Sequence, residues 1–415
     1  MMIAVIDNVN FMDRQVILRL DLNTPMHDDK ITDVTRIERV IPTLRKILAT
    51  NPRYVVIFSH LGRPKSKSPA EFNAEDSLLP VADALQSLLG KDVIFSNKPV
   101  GPELKELLDS TPNGSVVMAE NIRFYSGEKN NDIDFSQTLA SLGDIFVNDA
   151  FSCSHRSHSS IVGITNYLPS FAGLSFKAEI MALEEFLENP KRPVMGIVAG
   201  SKVSTKIDLL LSLLNKLDYL FLGGGIANTL LCAMGYKVGS SLVENDRIGV
   251  AETILQKAKS SRCKLILPTD AVVAKQLTPN TTTQVVDIDK IALDQAIYDI
   301  GPKTLEQLKN TLKKCGTILL NGPVGVYEVS PFADGTIEII KEISGLTKAG
   351  CIRSVIGGGD TLAAISMSKT NEFKPEFSHI STAGGAFLEW LEGKSLPGIE
   401  ALTIHDPIKK KVSHY

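Results

Sequence analysis

The stretch VMGIVAGSKVSTKIDLLLSLLNKLDYLFLGGG (194–225) sets out the pattern on which the chain is built. A nearly unbroken apolar run, Val194 to Ala199, leads into Gly200-Ser201-Lys202. Ile207, Leu210, Leu211 and Leu214 then recur at helical spacing and mark one face of a helix. A second apolar run, YLFL (219–222), ends on Gly223-Gly224-Gly225. Apolar runs without alternation indicate strands covered on both faces, as in parallel sheets. Strand, helix and strand in this order make a βαβ unit.

The same pattern extends in both directions. Upstream, QVILRL (15–20) leads into DLNTP, YVVIF (54–58) into SHLGRP, VVMA (116–119) into ENIRF, and IFV (145–147) into NDAFSCSHRSHSS. Downstream, TILL (317–320) precedes NGPVG and IRSVI (352–356) precedes GGGDT. Ile37, Val40, Ile41, Leu44 and Leu48 share a helical face. The expected fold class is therefore α/β, with two doubly wound, Rossmann-like parallel-sheet lobes. A boundary is expected within 165–195, where Phe176, Ile180, Leu183 and Leu187 predict a helix joining the lobes and Asn189-Pro190 ends it.

Composition narrows the function. The 415 residues allow two or three domains. Hydrophobic residues make up 43% and charged residues 22%, so both cores can form without disulfides or a structural metal. Lys and Arg number 44 against 47 Asp and Glu, a net charge of −3 that argues against a nucleic-acid or anionic-membrane partner. The longest uncharged stretch, Tyr219 to Tyr236, is broken by three glycines and Asn228, and the N-terminus lacks the pattern of a secretory signal. Five widely spaced cysteines (153, 232, 263, 315, 351) without C-x-x-C read as reduced thiols of a cytoplasmic protein.

In doubly wound folds ligands bind where the post-strand loops gather, and the two halves differ there. The first-half loops carry Asp21, Asn23, His60, Arg63, Arg123, His155 and Arg156, with Arg36 near the start of a helix. Arginine forks suit carboxylate and phosphate oxygens, so these residues predict a pocket for a small, multiply charged anion. Taken singly, each arginine is as readily a solvated surface residue. The second-half loops are glycine-rich: Gly223 to Gly225, Gly322-Pro323-Val324-Gly325, Gly357-Gly358-Gly359-Asp360-Thr361 and Gly384-Gly385. Such loops let backbone N–H groups approach phosphates, although any one of them could be only a tight turn. Lys202 and Lys206, four apart, are expected on one face at a helix opening, where they could hold phosphate charge. Asp360 could bind Mg²⁺ directly or through water.

Other motifs fail. Asn228 and Leu362 stand where a G-x-G-x-x-G needs its third glycine, and Leu388 where a P-loop ending at Gly393-Lys394-Ser395 needs its first. His155 and His158 lack the neighbours of a zinc site, and no G-x-S-x-G marks a nucleophilic serine.

RLDLNTP (19–25), SHLGRP (59–64), ENIRF (120–124), VNDAF with HRSHSS (155–160), GSKVSTK (200–206), NGPVGVYE (321–328), GGGDT (357–361) and GKSLPG (393–398) together resemble the phosphoglycerate kinase family in order and spacing. The similarity runs from about residue 16 to residue 402. It implies a monomeric phosphotransferase of glycolysis and gluconeogenesis that moves phosphate between 1,3-bisphosphoglycerate and ADP, giving 3-phosphoglycerate and ATP, by in-line transfer after lobe closure. It implies phosphoglycerate binding by Asp21, Asn23, Arg36, Ser59, His60, Leu61, Gly62, Arg63, Arg123 and Arg156. Mg-nucleotide binding falls to Lys202, Lys206, Asn321, Glu328, Gly357, Gly358, Gly359, Asp360 and Thr361, with Asp360 as the Mg²⁺ ligand and Arg36 and Lys202 as catalytic residues. The implied domains are 1–170 for phosphoglycerate, 171–192 as the joining helix, 193–385 for Mg-nucleotide, and 386–415 as a segment returning to the first lobe.

Four positions depart from the family's usual pattern. Leu320 replaces Trp before NGP, Ala383 the first of three glycines, Ser152 the glycine after AF, and Ser240 a lysine. Ala383 is expected to bring a Cβ near the phosphate path. Two other readings compete: a catalytically silent nucleotide-binding relative, against which the intact charged set argues, and an NAD-dependent dehydrogenase, which lacks its glycine fingerprint.

Overall fold

The computed structural model describes residues 3–28, 30–64, 74–368 and 373–403. The chain divides into two compact units, one comprising residues to Met181 together with those from Ser395, the other Ala182–Lys394. The division falls within the helix Leu174–Leu187, whose Phe176, Ile180 and Leu183 are buried as their spacing predicts.

In the first unit, six strands form one parallel sheet in the order Val93–Ser96, Ser115–Ala119, Tyr54–Phe58, Gln15–Leu20, Ile145–Asp149 and Ser170–Ala172. Val16, Leu18, Val55 and Ile57 face one hydrophobic layer, while Ile17, Val56, Phe58 and Phe146 face the other. Both faces are covered, which is why these strands are apolar throughout. Truncating a fully buried ring such as Phe146 to Ala should cost about 3–5 kcal/mol. The second sheet repeats the plan in the order Lys264–Ile266, Tyr219–Gly223, Val194–Ala199, Thr317–Asn321, Arg353–Gly357 and His379–Ser381, again all parallel. The fold class expected from the sequence is the one found.

The second unit also holds an antiparallel sheet, Gln284–Asp287, Asp270–Ala274 and Ala296–Ile300, which the sequence pattern did not announce. Its central strand, Asp270–Ala274, is largely buried and holds the short apolar run AVVA (271–274), whereas Gln284–Asp287 is exposed or half-buried along its length and has no such run. The C-terminal segment returns to the first unit: Ile3 bridges Thr403, Ala4 N–H donates to Leu402 at 3.2 Å, and Gly398 N–H donates to Ser154 at 2.9 Å. A Cβ on Gly398 would lie 2.8 Å from the Ser154 Cα, so only glycine permits this approach. Among the described residues no helix is long and apolar enough to cross a membrane.

Candidate active site

In the first unit, the four inner strands end at Leu20, Phe58, Ala119 and Asp149, and the loops that follow carry the predicted anion-binding groups to one sheet edge. Ser59 joins two of them, accepting from Leu22 N–H at 3.0 Å and donating to the Leu20 carbonyl at 2.9 Å. Asn23 joins them again, its Oδ1 accepting from Gly62 N–H at 2.8 Å. Asp21 lies at the centre, with Asn23 N–H on its Oδ1 at 3.2 Å and both Arg36 Nη1 and the Ser152 hydroxyl on its Oδ2. Burial alone would raise the Asp21 carboxyl, but the charges of Arg36 and His60 and the bond from Ser152 bring it down to about 2. Arg36 occupies the first turn of the helix Thr35–Leu48, whose start is tied by Asp33 accepting from Thr35 N–H at 2.8 Å.

Arg123 is buried, and its Nη1 donates to the Gly62 carbonyl at 2.6 Å. Burial lowers its guanidinium to about 10, and the charges of Arg19 and Arg156 add to the effect. Leu61 is buried and acts through its backbone, its carbonyl accepting from Asn121 Nδ2 at 2.8 Å. Gly62 has a φ of 60°, the left-handed region that suits glycine. Arg156 donates through Nε to His155 Nε2 at 3.0 Å, and Arg63 is exposed at the rim.

Sequence reasoning missed what holds this set in place. Arg19, 1% exposed, sends Nη2 to His60 Nδ1 at 3.2 Å and Nε to the Ser160 hydroxyl at 2.9 Å. Ser160 in turn donates through Oγ to Glu128 Oε1 at 2.7 Å and through N–H to Oε2 at 2.9 Å. Glu128 is wholly buried and opposes the Arg19 charge; burial raises its carboxyl, but His158, Arg19 and Ser160 together bring it below its ordinary value. Arginine has donors only, so His60 must accept at Nδ1 and carry its proton on Nε2. Burial holds His60 well below the ordinary imidazole value, reinforced by Arg19, Arg123 and Arg36 and opposed by Asp21. A neutral ring with an Nε2–H donor results. The signal available in the sequence was the single arginine inside the apolar run QVILRL.

In the second unit, backbone turns take the place of arginines. Thr361 Oγ1 accepts from Gly322 N–H at 2.7 Å and donates to the Gly357 carbonyl at 2.9 Å. Asn321 Nδ2 donates to the same carbonyl at 3.0 Å, so the loops after Thr317–Asn321 and Arg353–Gly357 are linked. Gly322 has a φ of 105°, and a Cβ there would lie 2.1 Å from the Ala199 carbonyl oxygen. Lys206 Nζ donates to that carbonyl at 2.7 Å and to Asn321 Oδ1 at 2.7 Å. Burial lowers its ammonium to about 8, with Asp360 opposing. Gly358, Gly359 and Asp360 open the helix Gly359–Ser368, whose first-turn N–H groups and dipole favour an anion. Asp360, Lys202 and Glu328 are exposed.

Lys202 and Lys206 do not share a helical face as their spacing suggested. The helix begins only at Ile207, and residues Val203–Thr205 form a single 3₁₀ turn. Glu244 is bonded to this turn, accepting from Ser204 N–H at 2.9 Å and from its hydroxyl at 2.5 Å. Of the departures, Leu320 is core, paired in register with Ile197 and Ile356. Ser240 is exposed, and Ala383 is buried one residue before Gly384, whose φ is 53°.

Arginines gathered at one sheet edge and glycine turns at another, on two doubly wound parallel sheets, place the chain in the two-unit α/β class, and the comparisons that follow make it a phosphotransferase. A family model, phosphoglycerate kinase, matches residues 6–394. A phosphoglycerate kinase of Xanthobacter flavus is 46% identical over 396 residues, covering 95% of this chain and 98% of its own length. One of Rhizobium meliloti is 44% identical, covering 95% and 97%. The solved structure of phosphoglycerate kinase from Coxiella burnetii aligns with a TM-score of 0.87 at 40% identity, over 97% of this chain and 99% of that one. That from Pyrococcus horikoshii aligns at 0.82 and 29% identity, over 99% of each. The chain belongs to the phosphoglycerate kinase family, and its activity is the reversible phosphoryl transfer of glycolysis.

Proposed function

We propose that the first unit binds 3-phosphoglycerate or 1,3-bisphosphoglycerate, that the second binds MgATP or MgADP, and that phosphate passes directly in line between them after lobe closure. The observation that supports this most is the linked set Arg36, Asp21, Asn23, Gly62 and Arg123, with Ser59 and His60 on the same loops, which offers cationic and neutral donors and one carboxylate acceptor. A small acid bearing phosphate, carboxylate and hydroxyl groups matches that inventory. In this reading the phosphoglycerate domain is 1–170, the joining helix 171–192, the nucleotide domain 193–385 and the returning segment 386–415.

In the ATP-consuming direction the nucleophile is a carboxylate with a pKa near ~4, already ionised, so no general base is needed. The work left to the protein is alignment and the spreading of charge on the moving phosphoryl group. Arg36 and Lys202 take that role, with Lys206 and the backbone N–H groups near Gly358 and Gly384 on the nucleotide phosphates and Glu328 on the ribose. Asn321 and Gly357 to Thr361 shape the cradle. Arg63, Arg156 and the Leu61 backbone complete the phosphoglycerate pocket.

Among the described residues no three His, Cys, Asp or Glu side chains cluster as a metal cage. A lone exposed carboxylate, Asp360, at the mouth of a phosphate cradle fits Mg²⁺ that takes its remaining ligands from phosphate and water. When bound, Mg²⁺ neutralises phosphate charge; Asp360 would hold it. The reading also places the enzyme in the cytoplasm as a monomer without nucleic-acid or membrane partners. A coupled assay of 3-phosphoglycerate-dependent ADP formation from MgATP tests it. Turnover is expected, and MgATP binding without turnover would favour a silent relative.

A further inference from the structure

We propose that Asn121 is a positioning residue for phosphoglycerate binding: it sets the plane of the Leu61–Gly62 peptide, and that peptide fixes Asn23 as a donor toward the ligand. The proposal rests on the reading of Asn23 as part of the phosphoglycerate pocket. Asn121 stands just past the strand Ser115–Ala119 and is fully buried, so it can act on a ligand only through its neighbours.

The bonds of its side-chain amide carry the argument. Asn121 Nδ2 donates to the Leu61 carbonyl at 2.8 Å and to the Asp76 carbonyl at 2.9 Å, and its Oδ1 accepts from Arg123 N–H at 3.1 Å. Both amide protons are used, and turning the amide over would set its oxygen against two carbonyl oxygens, so only this orientation satisfies all three bonds. The Leu61–Gly62 peptide is thereby held at its carbonyl. A trans peptide is planar, with its N–H directed away from its C=O, so fixing one end fixes the other. That N–H, on Gly62, donates to Asn23 Oδ1 at 2.8 Å. With Oδ1 turned to Gly62, the Nδ2 protons are what Asn23 has to offer a ligand oxygen. Gly62 does not set the peptide itself, because glycine at a φ of 60° tolerates either orientation. The bond from Arg123 Nη1 to the Gly62 carbonyl, at 2.6 Å, holds the next peptide along. The donor face of Asn23 is therefore decided by Asn121, from a loop far along the chain.

Titration calorimetry with 3-phosphoglycerate and with MgATP tests this on the full chain, on Asn121→Asp, on Asn23→Ala and on the two combined. Aspartate nearly keeps the shape of asparagine but sets a carboxylate oxygen against two carbonyls, so the peptide should turn and Asn23 should lose its donor orientation. The Kd for 3-phosphoglycerate should rise about tenfold, the worth of one hydrogen bond to a charged ligand, while that for MgATP stays parental. In the Asn23→Ala background, where no amide is left to orient, the same substitution should cost no more than about twofold. Leu104→Ala, which truncates a fully buried side chain of the same unit, should lower the thermal midpoint without moving either Kd. If Asn121→Asp does not fold, Asn121→Ser, uncharged and without the two amide donors, takes its place in the cycle. Parental 3-phosphoglycerate affinity in the single variant overturns the proposal. So do losses that simply add in the double variant, an equal loss of MgATP affinity, or a Leu104→Ala variant as weak for 3-phosphoglycerate. A parent chain that binds no 3-phosphoglycerate overturns the underlying reading instead, and the parent measurement alone tells the two failures apart.

Discussion

The first unit builds its site from side chains, and the second builds its own mainly from backbone. At the first sheet edge, charged groups from four loops gather, and one of them, His60, is held by a buried chain that runs from Glu128 through Ser160 and Arg19. At the second, Asn321 and Thr361 knit glycine turns together and one lysine, Lys206, lies folded against carbonyl oxygens. In the proposed reading the difference follows from what each would recognise. A small acid with several distinct groups needs directional donors at fixed places, whereas a phosphate chain is matched by N–H groups and a helix dipole. Directional side chains must be held by further side chains, which places buried charge under the first site. Backbone turns need only the absence of a Cβ, which places glycine at the second.

The contrast can be broken at its strongest point by Arg36→Ala. Loss of a charge-spreading arginine should lower kcat by about 10³-fold and, by leaving the buried Asp21 carboxylate without its cation, lower the thermal midpoint by a few degrees, read by the coupled assay and by differential scanning. Turnover near the parental rate would remove Arg36 from the chemistry. Gly322→Ala attacks the backbone site instead. A positive φ and a Cβ 2.1 Å from a backbone oxygen should cost about 2 kcal/mol and lower the thermal midpoint by a few degrees. An unchanged midpoint would show that the turn relaxes freely.

Lys206 supplies a pH test with a definite sign. Its folded value of about 8 lies below its ordinary 10.5, so the ammonium that attracts phosphate is lost as pH rises through about 8. The kcat/KM for MgATP should fall by up to about tenfold per pH unit on the alkaline side, and Lys206→Arg should carry that limb upward. A parental profile flat to pH 10 would contradict the folded-in lysine. The smallest effect is expected at Ala383→Gly. Ala383 is buried beside Gly384, and removing its methyl should change turnover by no more than about threefold. A larger gain would show that its Cβ obstructs the phosphate path.

Much of the fold was legible because a strand buried on both faces must be apolar along its length. QVILRL, YVVIF and VMGIVA are strands for that reason. Of the short antiparallel strands, Gln284–Asp287 was not legible, since an uncovered strand admits polar residues and leaves no continuous run, while AVVA (271–274) in Asp270–Ala274 is a run that the reading passed over. At the site, the loop residues Asp21, His60 and Arg123 could be read from their place after strands. Their supports could not. Glu128 and Ser160 lie far along the chain from Arg19, and nothing in local spacing marks a carboxylate as wholly buried.

The sequence by itself determined the βαβ plan, the family, and the division between arginine-bearing and glycine-bearing loops. These depend on local pattern and residue type, which a linear text carries. Tertiary structure alone decided which charges touch. It placed Ser152 and Arg36 on one oxygen of Asp21, fixed the His60 proton on Nε2 through Arg19, turned Lys202 off the face of Lys206, and set the Lys206 ammonium against a carbonyl. Protonation states and acceptor counts depend on burial and on neighbours brought in from distant segments, so they exist only once the chain has folded.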